Sequence, residues 1–455
     1  MNADEASGES PANLPRELSA RDVTLFAIAS IVGVRWIASA AHAGPGSILL
    51  WLLAALLFLI PLSIAVSTLT ARDPGAGGMY LWSRRDFGPW HGFLCFWIYW
   101  MGTIVWFPSA AMFYASAAAF TLGPRFTALA DNRVYLVGTS LAIIWIALGT
   151  NILGMKVGKW TENLGAIATW IIGLALAFLA WLVWQRQGSA TQFHLMPEFQ
   201  WSTVNFWASI AFAMTGFELV GMMGAEIRNP ARDLPRAAWI ASAFATLFYA
   251  SATAALLVIL PSGKISDLNG LAEAAQAAGG MLGVPWLSPV FALLVLFSAV
   301  GQFGGIGSAV ARMPFAAGAD HLLPASLARL HPKWQTPWVS MLLFGGLASV
   351  LLVLIQLGDT ARAAYQTIVS LMVISGLLPF LYVFASAWKC GKRLAALSGT
   401  GVTVVAIVCS VVPTDDIHRI WLFESKLALG TLAMVISALL MYRRRRVPGA
   451  ASVAA

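Results

Sequence analysis

Apolar runs separated by short polar stretches dominate the chain from Val23 to Tyr442. Crossing a hydrocarbon layer about 30 Å thick takes roughly 17–25 helical residues. Twelve runs come close to that length: 23–42, 48–70, 93–117, 134–153, 162–184, 204–225, 237–260, 286–311, 337–357, 364–388, 394–412 and 420–442. Amide groups in hydrocarbon have no water to bond, so each run is expected to be a helix. The predicted fold class is an all-α integral membrane protein of about twelve transmembrane helices. A polar tail over residues 1–21 precedes one helical domain over 22–442, and a basic tail over 443–455 follows it. The longest connections, 185–203, 261–285 and 312–336, are too short for a further domain. Within the second, the alanine-rich stretch 271–282 is either a short surface helix or a plain connector.

Charge tests this count independently. With the N-terminus inside, 20 of the 28 lysines and arginines fall in inside segments and six in outside segments. Arg35, in the first span, and Lys426, at the start of the last, complete the set. A wrong number of spans would scramble that alternation, so the positive-inside rule places both termini in the cytoplasm of a cell (inner) membrane protein. The net charge of +8 therefore reports orientation, and no nucleic-acid partner is expected. The run Arg443 to Arg446 either fixes topology or meets anionic membrane lipid. Composition agrees: 59% of residues are hydrophobic and 11% charged, against roughly 25% charged in soluble domains. Residues 1–20 lack the basic-then-apolar layout of a cleaved signal, so the first span is expected in the mature chain. Cys95, Cys390 and Cys409 show no paired or metal-like spacing. No disulfide, metal or cofactor is expected.

Two stretches break the rules of a lipid-facing helix. The first is Ile31-Val32-Gly33-Val34-Arg35-Trp36 in span 1, and the second is Met214-Thr215-Gly216-Phe217-Glu218 in span 6. Arg35 and Glu218 are the charges farthest from any span end, and a charge at membrane depth usually faces a cavity or a partner. Spans 1 and 6 are five apart, the offset of two inverted five-helix repeats that each open with a discontinuous helix. Unwinding a helix frees amides and carbonyls that lipid cannot satisfy but an ionic substrate can. Half-helix N-termini attract a carboxylate and C-terminal ends an ammonium, which suits a zwitterion. Packing is the other reading of Gly33 and Gly216, since glycine lets membrane helices approach. Arg35 has two candidate partners, a substrate carboxylate or Glu218 acting as an internal lock. Glu218 is the candidate for proton coupling, with a permanently ionised structural role as the alternative. The histidines His42, His91, His194, His321, His331 and His418 fall in loops or at span ends and read as surface residues.

Three connecting stretches carry a family resemblance: Gly77-Gly78-Met79-Tyr80-Leu81-Trp82, Glu226 to Arg236 with its Asn229-Pro230 step, and Phe315-Ala316 through Leu323-Pro324. Over about residues 22–388 the chain resembles the amino acid-polyamine-organocation superfamily. Trp97-Ile98-Tyr99-Trp100 and Trp106-Phe107-Pro108 resemble its glutamate/GABA antiporter branch. The resemblance implies a LeuT-type fold of two inverted five-helix repeats plus two helices, and alternating-access secondary transport of an amino acid or related amine, as an antiporter or a proton-coupled symporter. It also implies an aromatic gate at Phe212 and matches Gly216 and Glu218 to the glycine and glutamate of span 6. The chain departs from the pattern where Arg35 replaces the second glycine of the span 1 signature, and span 5 has no lysine. The expected binding set is Val32, Gly33, Val34, Arg35, Trp36, Met214, Thr215 and Gly216, with Phe212 as gate, Glu218 as coupling residue and protons as a candidate second partner. No metalloprotease or nucleophile-elbow motif supports a membrane-embedded enzyme. A transporter-like sensor is the remaining alternative, and liposome flux separates it from transport.

Overall fold

The computed structural model describes Arg16 and residues 18–444, apart from residues 76, 154, 195, 197–199, 320–322, 330, 335, 337 and 357–359. The expected N-terminal tail up to residue 15, Arg445 and Arg446 of the terminal basic run, and part of the 315–324 stretch lie outside the described residues. Among those described, every regular element is helical: α1 (Ala20–Ile31), α2 (Arg35–His42), α3 (Ser47–Ala54), α4 (Ile60–Arg72), α5 (Met79–Phe87), α6 (Pro89–Thr121), α7 (Arg133–Ile152), α8 (Met155–Gln187), α9 (Trp201–Ala213), α10 (Phe217–Met222), α11 (Pro230–Ile259), α12 (Gly270–Leu282), α13 (Leu287–Ala319), α14 (Trp338–Ile355), α15 (Ala361–Lys389), α16 (Arg393–Val411) and α17 (Ile420–Arg444). Among the described residues eleven helices are long and apolar enough to cross a membrane, and the pair α1 and α2, bent by 47°, makes a twelfth if it is one span. All twelve coincide with the apolar runs of the sequence. The alanine-rich stretch forms α12, a helix rather than a plain connector.

Local chemistry explains where these helices start and bend. Ser19 and Asp22 form a reciprocal capping box at α1, placing an acid where the helix dipole is positive. The second span carries a π turn over residues 55–59 between α3 and α4. Pro61 has no N–H for the carbonyl of Leu57, and Ser398 of α16 donates to that oxygen at 2.7 Å. The Gly77-Gly78 motif takes positive φ at both residues, so that α5 can start against the end of α10, where a Cβ on Gly78 would press on Met222.

One end of the bundle, the basic face, gathers the basic connections. Arg72 holds Asp86 through its two terminal guanidinium nitrogens at 3.1 and 3.0 Å, and its Nε donates to Asp73 at 2.8 Å. On the same face Leu18 pairs with the strand-like segment after α10 through Leu18 N to Glu226 O and Arg228 N to Leu18 O. Burial identifies the centre of the molecule. The apolar window of α6 is 83% buried and that of α9 with α10 is 89% buried, against 17% for α17. The broken helices, α6 and α15 therefore form the middle, while α16 and α17 lie outside, in keeping with two five-helix repeats plus two helices.

Candidate functional site

The breaks in the first and sixth spans touch. Gly216 has φ +117°, a conformation open to glycine at little cost, and a Cβ there would run into the carbonyl of Ser30. That contact brings the end of α1 against the start of α10. The frayed segment of the first break is held by a residue that sequence reasoning missed, Tyr249 of α11. Its hydroxyl accepts from the Gly33 amide and donates to the Ile31 carbonyl, both at 2.8 Å. Tyr249 is itself stacked 4.3 Å from Trp51, whose indole N–H donates to Thr253.

Glu218 sits in the first turn of α10, buried, and its carboxylate closes back on the break. Oε2 accepts from the Gly216 amide at 2.7 Å, and Oε1 accepts from the Tyr99 hydroxyl at 3.0 Å. An acid at a helix N-terminus with two donors is electrostatically well placed. Both oxygens are thus engaged without Arg35, so the internal-lock alternative is not what the structure contains.

Arg35 lies on the far side of an aromatic roof. Its guanidinium is fully buried 4.1 Å from the Trp36 ring and 5.0 Å from the Trp106 ring. Nη1 donates to Ser109 Oγ at 2.8 Å, Nη2 meets Met372 Sδ at 3.1 Å, and Nε has no hydrogen-bond partner. No carboxylate pairs with it among the described residues. Tyr99, which bonds Glu218, and Ser109, which bonds Arg35, are ten residues apart on α6, about 15 Å at 1.5 Å per residue. The two charges therefore occupy different depths. Arg35 also opens α2, where the helix dipole is positive. Cation and dipole together give this position a positive potential.

Between the two charges is a small cavity lined by Ser30, Ile31, Trp36, Tyr99, Thr103, Trp106, Phe212, Thr215, Gly216, Glu218 and Gln302, among others. Of the expected binding set it brings together Trp36, Thr215 and Gly216, with Phe212 and Glu218. Phe212 meets Trp36 at 5.6 Å and packs on Gly376, so it does form part of the roof. Gly33, Val34, Arg35 and Met214 do not line this cavity. Val34 and Met214 are instead packed into the core, fully buried among apolar neighbours. Val32 lines a second cavity between α1, α8 and α13, which shares Ser30, Leu219, Gln302 and Ile306 with the first and extends along α1 to Phe26, toward the basic face.

Sequence reasoning also missed Tyr99, Thr103, Trp106 and Gln302. The first three fall at the i, i+4, i+7 spacing of one α6 face, a signal masked by the surrounding tryptophans. Gln302 is a neutral amide deep in an apolar helix, and its carbonyl accepts from the Tyr114 hydroxyl at 2.8 Å. On the face opposite the basic one, the path is covered by α12. There Ser116 donates to Asn269 and Gln366 donates to Asp267. His42 is not a surface residue. It is half-buried, with Nδ1 at 2.5 Å from the Ile265 carbonyl and its ring 4.5 Å from Phe206, because the end of α2 is covered by the loop before α12.

Two broken helices meeting at a buried polar cavity, with a roof on one side and a path toward the other face, define a secondary transporter of the alternating-access kind. Residues 18–423 match the family described as amino acid permease. The chain belongs to that family, whose members move amino acids and related amines. Its relatives include an uncharacterized transporter of Legionella pneumophila, 24% identical, with 92% of this chain and 95% of the relative covered. It is 24% identical to the probable agmatine/putrescine antiporter AguD of Lactococcus lactis, covering 80% and 78% of the two chains. It is 27% identical to the serine/threonine exchanger SteT of Bacillus subtilis, covering 70% and 73%.

Proposed function

We propose that the protein exchanges a carboxylate-bearing amino acid across the cell membrane, with its basic face in the cytoplasm, and that Arg35 receives the substrate carboxylate. The observation that carries this reading is Arg35 itself, a buried cation at a helix N-terminus with no acid beside it among the described residues. An uncompensated buried charge costs several kcal/mol, and an anionic group arriving through the Trp36–Phe212 roof removes that cost. A guanidinium holds a carboxylate by two parallel charge-assisted bonds. Trp36, Thr215 and Gly216, which line the cavity below the roof, complete the site. Phe212 gates it, and Glu218 is the coupling group where protons take part. Two of the named relatives are an antiporter and an exchanger, which favours exchange as the mode. The protein's work is movement of its substrate rather than chemistry on it.

The test is uptake into proteoliposomes across a panel of amino acids, agmatine and putrescine, with and without internal substrate and with and without a pH gradient. Uptake stimulated by internal substrate and selective for a carboxylate is the expected result. Arg35→Lys keeps the charge but loses the planar fork, so its apparent affinity should fall about tenfold, the equivalent of roughly 1.4 kcal/mol, in a protein that still folds. Wild-type affinity in that variant removes Arg35 from substrate binding. Tight binding of an amino acid without flux would make the protein a sensor.

A further inference from the structure

Away from the transport path, α4, α11 and the start of α16 enclose a lateral groove of about 200 Å³ between the exposed side chains of Ile64 and Trp239. Its walls are mostly apolar, yet Ser63, Ser67 and Ser242, each more than nine-tenths buried, line it with their hydroxyl oxygens tucked just behind the wall. None of the three has a hydrogen-bond partner. Among the described residues six other buried serine and threonine hydroxyls also lack a partner, scattered through the bundle, while Ser375 and Thr403 satisfy theirs on the carbonyl one turn back; three such hydroxyls line this one groove. Buried hydroxyls without acceptors are costly, and three around one groove call for a ligand that brings acceptors. Lys392 stands exposed at the groove's edge, and no acidic side chain pairs with it among the described residues.

Depth indicates the kind of ligand. Ser67 and Ser63 lie five and nine residues before the end of α4 at Arg72, about 7 and 14 Å along the helix. The groove therefore runs from the interfacial layer, where Lys392 is, into the outermost part of the hydrocarbon. We propose that it holds one anionic phospholipid of the leaflet at the basic face. Its phosphate meets Lys392, its ester carbonyl oxygens accept from the serine hydroxyls once these rotate from behind the wall into the groove, and one acyl chain lies between Ile64 and Trp239. An acyl chain alone offers no acceptors, and a free anion has no use for the apolar walls. The site matters to the machinery because α11, which forms one wall, also carries the tyrosine that holds the break between α1 and α2.

The experiment is native mass spectrometry of the full-length protein, delipidated in detergent and titrated with phosphatidylglycerol, phosphatidylcholine or inorganic phosphate. Wild type should retain one phosphatidylglycerol in preference to phosphatidylcholine. Lys392→Gln should weaken that affinity about fivefold, the fold-change expected for one lysine at an anionic membrane surface, and leave phosphatidylcholine unaffected. Arg443→Gln, a basic change elsewhere on the same face, should leave it within about twofold. Ser242→Ala should weaken phosphatidylglycerol binding without lowering the melting temperature of the lipid-free protein, because it removes a hydroxyl that has no partner. Equal retention of the two lipids, equal losses in Lys392→Gln and Arg443→Gln, or displacement of the lipid by millimolar phosphate would each overturn the proposal.

Discussion

At the residue scale, the centre of the protein is organised by hydroxyls and charges that each do one identifiable thing. Tyr249 pairs the amide of Gly33 and the carbonyl of Ile31 that the break in the first span leaves without helical partners. Tyr249→Phe strands both groups, and a stranded buried polar group costs roughly 1–3 kcal/mol. A lower melting temperature in detergent is the expected outcome, together with slower flux, whereas a silent variant would mean that water replaces the hydroxyl. Glu218 is bonded by Tyr99 and Gly216 rather than by Arg35, which leaves it free of a fixed counter-charge. If it carries the coupling proton, Glu218→Gln keeps the acceptor for Tyr99 but flattens the dependence of transport on pH. An unchanged profile at full activity would assign Glu218 to structure alone.

At the scale of elements, the two glycines singled out in the sequence differ in what they permit. Gly216 combines φ +117° with backbone contact on Ser30, whereas a Cβ on Gly33 would meet the end of the Gln302 side chain at 2.8 Å. A side-chain terminus can swing aside and a carbonyl in a packed helix cannot. Gly216→Ala should therefore abolish flux in protein that still reaches the membrane, while Gly33→Ala should retain a measurable fraction. Parallel proteoliposome assays decide, and equal losses would contradict the distinction. In the second span a proline and a π turn interrupt the regular ladder, and the hydroxyl of Ser398 satisfies the Leu57 carbonyl there.

At the scale of the whole molecule, the face opposite the basic one is closed by α12 and the loop before it, and that closure contains an acid. Burial lifts the carboxyl of Asp267 from 3.8 to about 6, with Asp416 adding to the rise and His42, Arg362 and the Leu268 amide opposing it. In the window between those values the folded chain binds the proton more tightly than the unfolded chain. Stability is therefore greatest at the acid side, falls as pH rises through about 4 to 6, and is level above. Melting temperatures measured from pH 4.5 to 7.5 should show that decline, and Asp267→Asn should remove it. A variant that keeps the wild-type slope would place the titrating group elsewhere.

Much of this architecture is legible in the amino-acid sequence by itself. Twelve spans follow from apolar run length, because a bilayer leaves the backbone no other way to satisfy itself. The matched positions of Gly33-Val34-Arg35 and Gly216-Phe217-Glu218 identify the two breaks, since glycine beside a buried charge serves little purpose in a plain lipid-facing helix. What tertiary structure alone decided is who meets whom across the breaks. Arg35 and Glu218 are similar in sequence setting, yet they lie at different depths because α2 leaves its break on the far side of the aromatic roof and α10 leaves on the near side. The partners Tyr249, Tyr99, Ser109 and Gln302 come from three other helices, at separations of 74 to 216 residues for the bonds of Arg35, Glu218 and Gly33. Apolar periodicity carries no information about the rotation of one buried helix against another. That rotation is set by packing, and it determines which side chains reach the cavity.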